Sequence, residues 1–371
     1  MSKWDKVRLG DVLLYEQPTK YIVENTDYSN DYKTPVLTPG QTFVLGYTNE
    51  TNNIYGKNLP CIIFDDFTTA IKFVDFPFKV KSSAMKILNN DKTLTDIRYL
   101  FYYMLTIKID TELHKRYWIS EYSNLFINLP NLNTQKKIAD ILDKITGLIS
   151  LRKEQIKKLD LLVKTLFIEL FGDPVVNPMG WEVKRLGDIT NIGSSKRIFA
   201  HEYVDYGIPF YRTKEIVELS QGHLIKNELF ISFNRFQTIA EENGYPKFDD
   251  LLVSAVGTIG VIWVINTKES FYYKDGNLIL INKCDMMHSF VLKMILERLI
   301  KEQADHLSAG SAYNALTIVK LKELYIPLPP LALQTHFAEI VQEVDKIKFV
   351  MQEGLNKLEL TYKALMQQYF D

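Results

Sequence analysis

Cysteine is nearly absent. The 371-residue chain holds only Cys61 and Cys284, far apart and outside any CxxC. That excludes a disulfide framework and fits a reducing cytoplasm, with both thiols in apolar cores. The six histidines, at 114, 201, 223, 288, 306 and 336, show no metal-ligand spacing. No apolar run reaches membrane-spanning length, and the opening MSKWDKVRLGD does not read as a signal peptide. Excess charge of either sign is missing too: the net is −1. By segment it is 0 for 1–130, +2 for 131–173, −1 for 174–328 and −2 for 329–371. A protein that grips nucleic acid alone carries a basic footprint, so a DNA reader of this balance needs partners to supply much of the phosphate grip.

Catalytic motifs are also missing. There is no GxxxxGK[ST], hence no P-loop, and no glycine-rich cofactor loop follows a strand. NPMGW (177–181) faintly resembles the Asn-Pro-Pro-aromatic motif of adenine methyltransferases. It lacks the second proline and the following aromatic, and reads as a linker turn. GTIG (257–260) lies between two apolar runs and reads as a hairpin turn. Glu182 and Lys184 have the spacing of a nuclease Glu-x-Lys, but the matching stretch near the start is Asp5, Lys6, Val7. What remains is an ordinary globular composition, 46% hydrophobic and 24% charged, long enough for two or three domains.

The chain states one plan twice. LPNLNTQKKIADILDKI (129–145) matches LPPLALQTHFAEIVQEVDKI (328–347) at a constant separation of 199 residues, Pro130 to Pro329. Leu132 falls on Leu331, Gln135 on Gln334, Ala139 on Ala338 and Ile141 on Ile340. Further on, Leu159 falls on Leu358, Lys164 on Lys363 and Phe171 on Phe370. Upstream, KWDKVRLGDVL (3–13) matches GWEVKRLGDIT (180–190) at a separation of 177. A period this long means a duplicated domain, not a solenoid.

The codas read as long helices. In the first, the apolar seam runs Ile138, Ile141, Ile145, Leu148, Arg152, Ile156, Leu159 and on through Val163, Leu166 and Leu170. In the second it runs Phe337, Ile340, Val344, Ile347, Met351, Leu355, Leu358, then Tyr362, Leu365 and Tyr369. Steps of three and four alternate, with one extra four at the same place in both. That is a coiled-coil seam with a shared stutter. About 39 residues give a helix of roughly 58 Å. One such helix alone reads as a core helix; two with matched seams can pair antiparallel. Pro130 with Asn133 and Thr134, and Pro329 with Pro330, signal the starts.

The bodies between these frames, 1–128 and 174–327, are mixed. Strand-like stretches are CIIFDDF (61–67), LLVSAVGTIGVIWVI (251–265) and NLILI (277–281); helix-like ones are 94–107 and 289–303. The frames match and the interiors do not. FGDPVVNPMG (171–180) is the linker between halves.

Polar and basic stretches recur at matched places. After each LGD come Thr19, Lys20 and Tyr21 in one half, Lys196 and Arg197 in the other. GIPFYRTKEI (207–216) presents Tyr211, Arg212 and Lys214, and the GTIG loop presents Thr258. Before each coda lie Lys115, Arg116, Tyr117 and Trp118, or Ser311, Tyr313 and Asn314. Small, aromatic and amide groups suit base edges, and Arg and Lys suit guanine or phosphate. Each residue alone reads first as solvated surface rather than DNA contact; the matched placement in both halves is the better argument for the DNA reading.

LPPLALQ with its partner LPNLNTQ, the paired W…RLGD openings, GIPFYRTKEI, DLLVSAVGTIG (250–260) and the two codas together resemble a specificity subunit of type I restriction–modification systems. The resemblance spans essentially the whole chain. It departs at Asn131, where the second copy has Pro330, and at IIFDDFTTA (62–70), which stands where the second half has VSAVGTIG, so the first recognition loop is expected to differ in shape. It implies an α+β fold with internal pseudo-twofold duplication: two mixed α/β target-recognition domains, 1–128 and 174–327, separated by two long antiparallel coiled-coil helices, 129–173 and 328–371. Each domain is expected to read one half of a bipartite asymmetric DNA site. Implied partners are double-stranded DNA, two adenine methyltransferase subunits using S-adenosylmethionine, and two translocase–nuclease subunits using ATP and Mg²⁺. The chain itself would then hold no cofactor, no metal and no catalytic residue, and would be cytoplasmic. Two other readings are a coiled-coil scaffold with protein-binding ends and a self-sufficient enzyme. Sequence-selective DNA binding with a methyltransferase separates the first, and methyl-transfer or cleavage by the isolated chain separates the second.

Overall fold

The computed structural model describes residues 4–40, 42–109, 116–223, 225, 226, 228–307 (303–307 as backbone only) and 316–370. They divide into two compact units, Met1–Lys153 with Gly354–Asp371, and Glu154–Glu353.

In the first unit, strand Asp5–Arg8 pairs antiparallel with Phe126–Leu129, which closes the two ends of the body on each other. The LGD that follows forms one helical turn, Leu9–Val12. Its Leu9 N–H donates to the Leu125 carbonyl at 2.8 Å. A Cβ on Gly10 would lie 2.8 Å from the Ser123 carbonyl oxygen, so only glycine admits this approach. A four-stranded sheet has the spatial order Leu13–Glu16, Met85–Asn90, Cys61–Asp65, Ile71–Val74. Its central strand Cys61–Asp65 is buried at every position, which is why it reads as an almost unbroken apolar run. A smaller sheet joins Val44–Thr48, Thr34–Leu37 and Lys79–Val80, the last two parallel. Helix Ile97–Thr106, capped by the Asp96 carboxylate on the Arg98 N–H, covers the first sheet.

The second unit repeats this plan. Glu182–Arg185 pairs with Tyr325–Leu328, and the Leu186 N–H donates to Leu324 at 2.8 Å. A Cβ on Gly187 would lie 2.9 Å from the Lys322 Cβ. The main sheet runs Ile192–Gly193, Leu278–Ile281, Leu251–Ser254, Ile262–Val264. The smaller sheet again has a parallel pair, Ile208–Tyr211 with Tyr272–Tyr273. Helices Thr213–Ser220 and Phe233–Asn243 are additions to this body. The main sheets, which the sequence leaves unmatched, therefore share one strand order, while the smaller sheet has three strands in the first body and four in the second.

The long helices span Leu132–Phe171 and Leu331–Phe370. In the first unit Ile138, Leu142 and Ile145 share a core with Leu358, Tyr362, Leu365 and Phe370. In the second, Leu166, Phe167 and Phe171 share one with Leu333, Phe337 and Val341. In each unit the start of one helix meets the end of the other, so they are antiparallel.

The seam needs correction. Ile141, Leu148 and Ile347 are exposed at 40%, 52% and 47%. Leu142, Ile149 and Val341 turn inward instead, and Ile340 is only half-buried. In the first helix steps of four and three then alternate without a break, and in the second they do so with the half-buried Lys348 in the place of Ile347, so the stutter disappears. The cause is a run of adjacent apolar pairs: moving one residue turns the helix face by about 100°. The inward choice is the one that also packs on its own body. Leu142 and Ile145 lie with Tyr99 and Tyr102, and Val341 lies with Val291 and Ile295. Ile138, Ile145, Phe337, Val344 and Leu355 are buried as expected, while Arg152, Ile156, Leu159, Met351 and Leu358 are half-buried.

The linker begins where Gly172, at φ +76°, ends the first long helix. NPMGW is a turn: the Asn177 side chain both donates to the Trp181 carbonyl and accepts its N–H.

Candidate nucleic-acid interface

The strands and turns hold the expected contact residues in three different settings. Tyr117 and Trp118 are core residues, exposed 0% and 1%. The Trp118 ring packs edge-on to Phe64 at 5.5 Å, and its backbone N–H donates to the buried Asp66 carboxylate. Their side chains are turned inward because this turn closes the body over the main sheet; they are not offered to a ligand. Tyr211 is likewise buried, stacked on Phe271 at 4.6 Å. Thr19, Lys20, Arg116, Lys196, Arg197, Lys214 and Thr258 are exposed, and Tyr21 is half-buried. Lys115, Ser311, Tyr313 and Asn314 lie outside the described residues.

Most exposed cations have carboxylate partners. Lys20 pairs with Glu16 at 2.6 Å, and Tyr21 donates to the same carboxylate. Arg197 pairs with Asp275 at 2.8 Å. Arg212 is the most constrained. Its backbone N–H and guanidinium both reach Glu215, and the guanidinium also reaches Glu228 at 2.7 Å, where Lys214 joins at 3.0 Å. Burial alone would raise the pKa of Glu215, but the Arg212 hydrogen bonds outweigh it and hold the carboxyl below its usual range. Lys214 and Arg212 do the same to Glu228. Arg212 thus caps the helix Thr213–Ser220 as well as facing solvent.

The loops at the sheet ends differ in build. In the second body Ser254 donates to Thr258 and accepts from Val261, closing a turn in which Gly257 and Gly260 have φ +79° and +80°. In the first, Asp65 accepts from Phe67, Thr68 N–H and the Thr68 hydroxyl. The expected difference in loop shape is present. Cys61 is interior, and burial pushes its thiol up to about 12. Among the described residues no three His, Cys, Asp or Glu side chains could hold a metal ion, and no helix is long and apolar enough to cross a membrane.

Backbone hydrogen bonds put the two bodies in register. Asp66 donates to Ala84 as Ala255 does to Asn277, and Lys81 donates to Leu37 as Lys274 does to Tyr211. Residues 79–90 therefore correspond to 272–283 at one constant separation of 193. Lys20 corresponds to Arg197 at 177. Neither Lys81 nor Lys274 stands out in the sequence, because no motif surrounds them.

Two further residues were visible as repeats but without a role. Gln135 and Gln334 are both fully buried. Gln135 donates to the carbonyls of Pro130 and Leu94 and accepts the Asp96 N–H. Gln334 donates to Pro329 and Met286 and accepts the His288 N–H. Each glutamine satisfies three backbone groups and ties the start of a long helix to the body helix beside it.

Comparisons with known proteins agree with this architecture. The family described as "Type I restriction modification DNA specificity domain" matches residues 1–161 and 178–360. The Escherichia coli EcoR124I/EcoR124II type I restriction enzyme specificity subunit is 32% identical, over 96% of this chain and 90% of its own. The Methanocaldococcus jannaschii MjaVIII specificity subunit is 22% identical over 98% and 91%. In fold, the chain is similar to the S subunit of a type I restriction–modification system from M. genitalium. The TM-score is 0.66 at 17% identity, covering 100% of this chain and 96% of that one.

Proposed function

The chain belongs to the family of type I restriction–modification DNA specificity subunits, and from that premise we propose that it reads a bipartite, asymmetric DNA site and positions catalytic partners on it. The bodies 1–128 and 174–327 act as the two target-recognition domains. The helices of 129–173 and 328–371 set the spacer and carry the docking surfaces. Two methyltransferase subunits using S-adenosylmethionine supply methyl transfer to adenine N6, and two translocase–nuclease subunits using ATP and Mg²⁺ supply cleavage. This chain contributes base contacts and positioning but no covalent step.

One observation carries the reading. Two bodies with the same sheet order present differently built loops at equivalent ends: a Ser254-closed, two-glycine turn in one and an Asp65-closed turn in the other. A common scaffold with unlike loops suits two readers of unlike sequences. Exchanging 174–327 for the body of another family member tests it. One half-site should change and the other persist; a change in both would contradict modular reading.

A further inference from the structure

Residues that read different bases in two half-sites must differ between the bodies, whereas residues that hold a phosphate can be the same in both, since every half-site has the same backbone. The register between the bodies allows that comparison position by position. Across 79–90 and 272–283 two positions are identical, Lys81 with Lys274 and Asn89 with Asn282. The asparagines are explained from within: Asn89 accepts the Tyr55 hydroxyl, and Asn282 donates to the buried Asp250. The lysines are not. Each donates its backbone N–H to the end of the neighbouring parallel strand, at 2.9 Å in both bodies, and a backbone bond requires no particular side chain. The same turn tolerates change at its next three positions, Ser82 for Asp275, Ser83 for Gly276 and Ala84 for Asn277.

Lys81 is exposed and Lys274 half-buried. Neither has a carboxylate partner among the described residues; Lys81 has only the Tyr28 ring at 5.9 Å. A second matched cation belongs to the segment that joins each of these turns. Lys20 belongs to the turn Pro18–Tyr21, which leads into the bridge from Ile22 to Val80, and its counterpart Arg197 pairs with Asp275, next to Lys274. We propose that Lys81 and Lys274 are matched DNA-backbone contacts, one per body, each neutralising a phosphate of its own half-site without reading sequence. This rests on the bipartite reading above and adds to it the residues that grip rather than specify.

The test uses the full chain copurified with a methyltransferase partner, on a cognate and a scrambled duplex across a salt series. Lys81→Ala and Lys274→Ala should each weaken binding to both duplexes by the same factor. Each should make the slope of log K against log salt shallower by about 0.9, the share of one phosphate. The double variant should lose both shares, Lys81→Arg and Lys274→Arg should restore them, and the methylated sequence should not change. Unchanged slopes, a loss confined to the cognate duplex, or a response from one body alone would overturn the proposal. If the unsubstituted complex shows no sequence preference, the bipartite reading itself fails. If it does and the variant slopes are unchanged, this inference alone fails. Unchanged thermal unfolding and the arginine rescue separate lost contacts from lost structure.

Discussion

Replacing Gln334 with leucine keeps the volume of the side chain and removes all its polar atoms. The Pro329 and Met286 carbonyls, which accept from the Gln334 amide at 2.7 and 3.2 Å, and the His288 N–H, which donates to it at 2.7 Å, all lose their partner around a fully buried side chain. At about 1 kcal/mol net for each bond, the loss is about 3 kcal/mol. Amide exchange at His288 should accelerate by about a hundredfold if the group opens locally, since each 1.4 kcal/mol is tenfold. Gln334→Glu separates chemistry from shape. A carboxylate would aim an oxygen at two carbonyls, and burial would raise its folded pKa above the unfolded value. The folded state then binds more protons than the unfolded one, so the variant should regain stability as pH falls and lose it as pH rises. Hydrogen exchange followed residue by residue is the assay. Gln135→Leu should expose Asp96 in the same way, each variant acting on its own body. If the His288 amide exchanges equally in Gln334→Leu and the unsubstituted chain, the glutamine is not the joint described here.

Arg212→Ala should relax preference at one base pair of the second half-site by about 1–3 kcal/mol if the guanidinium leaves its carboxylates to meet a guanine edge; equal loss on every sequence in a binding assay would make it a phosphate contact. Burial lowers the pKa of His288 below its ordinary 6.5, against the pull of Asp249. The unfolded chain therefore takes up that proton first, and this contribution to stability is lost as pH falls from 6.5 toward the folded value. His288→Gln should flatten the pH dependence of unfolding between pH 7.5 and 5. A fragment of residues 1–173 should form a weak homodimer, because Leu159, Val163, Leu166 and Phe171 of a second copy can take the places of Leu358, Tyr362, Leu365 and Phe370. Two Arg152 side chains would then face each other near the axis, so Arg152→Met should strengthen the dimer in sedimentation. An unchanged or weaker association would contradict that register.

The frames were legible because repeated text and repeated geometry coincide there. Gly10 and Gly187 are fixed by close approach, and Gln135 and Gln334 by three backbone partners each. The shared interiors were hidden because equivalent interior positions solve burial differently. Lys79, paired with Glu50 at 2.6 Å, stands where the second body has Tyr272, and Lys86, paired with Asp66 at 3.3 Å, stands where it has Ile279. A buried ion pair and an aromatic ring fill similar space but share no sequence signal. The buried seam departs from the one the spacing predicts for a related reason. At Ile141–Leu142 and Leu148–Ile149 either residue satisfies a helical period, and the choice is made by the body packed alongside. Tyr117 and Trp118 show the limit of composition: an aromatic next to basic residues reads as a contact surface until its neighbours in space, Phe64 and Asp66, are known.

The central claim, that two bodies of one chain read two unlike half-sites at a fixed spacing, is tested most directly by mapping every methylated adenine in DNA exposed to the chain with its methyltransferase partner. The account predicts one asymmetric motif of two short sequences separated by a constant, unspecified spacer. A continuous motif, a palindrome, or a spacer that varies from site to site would contradict it.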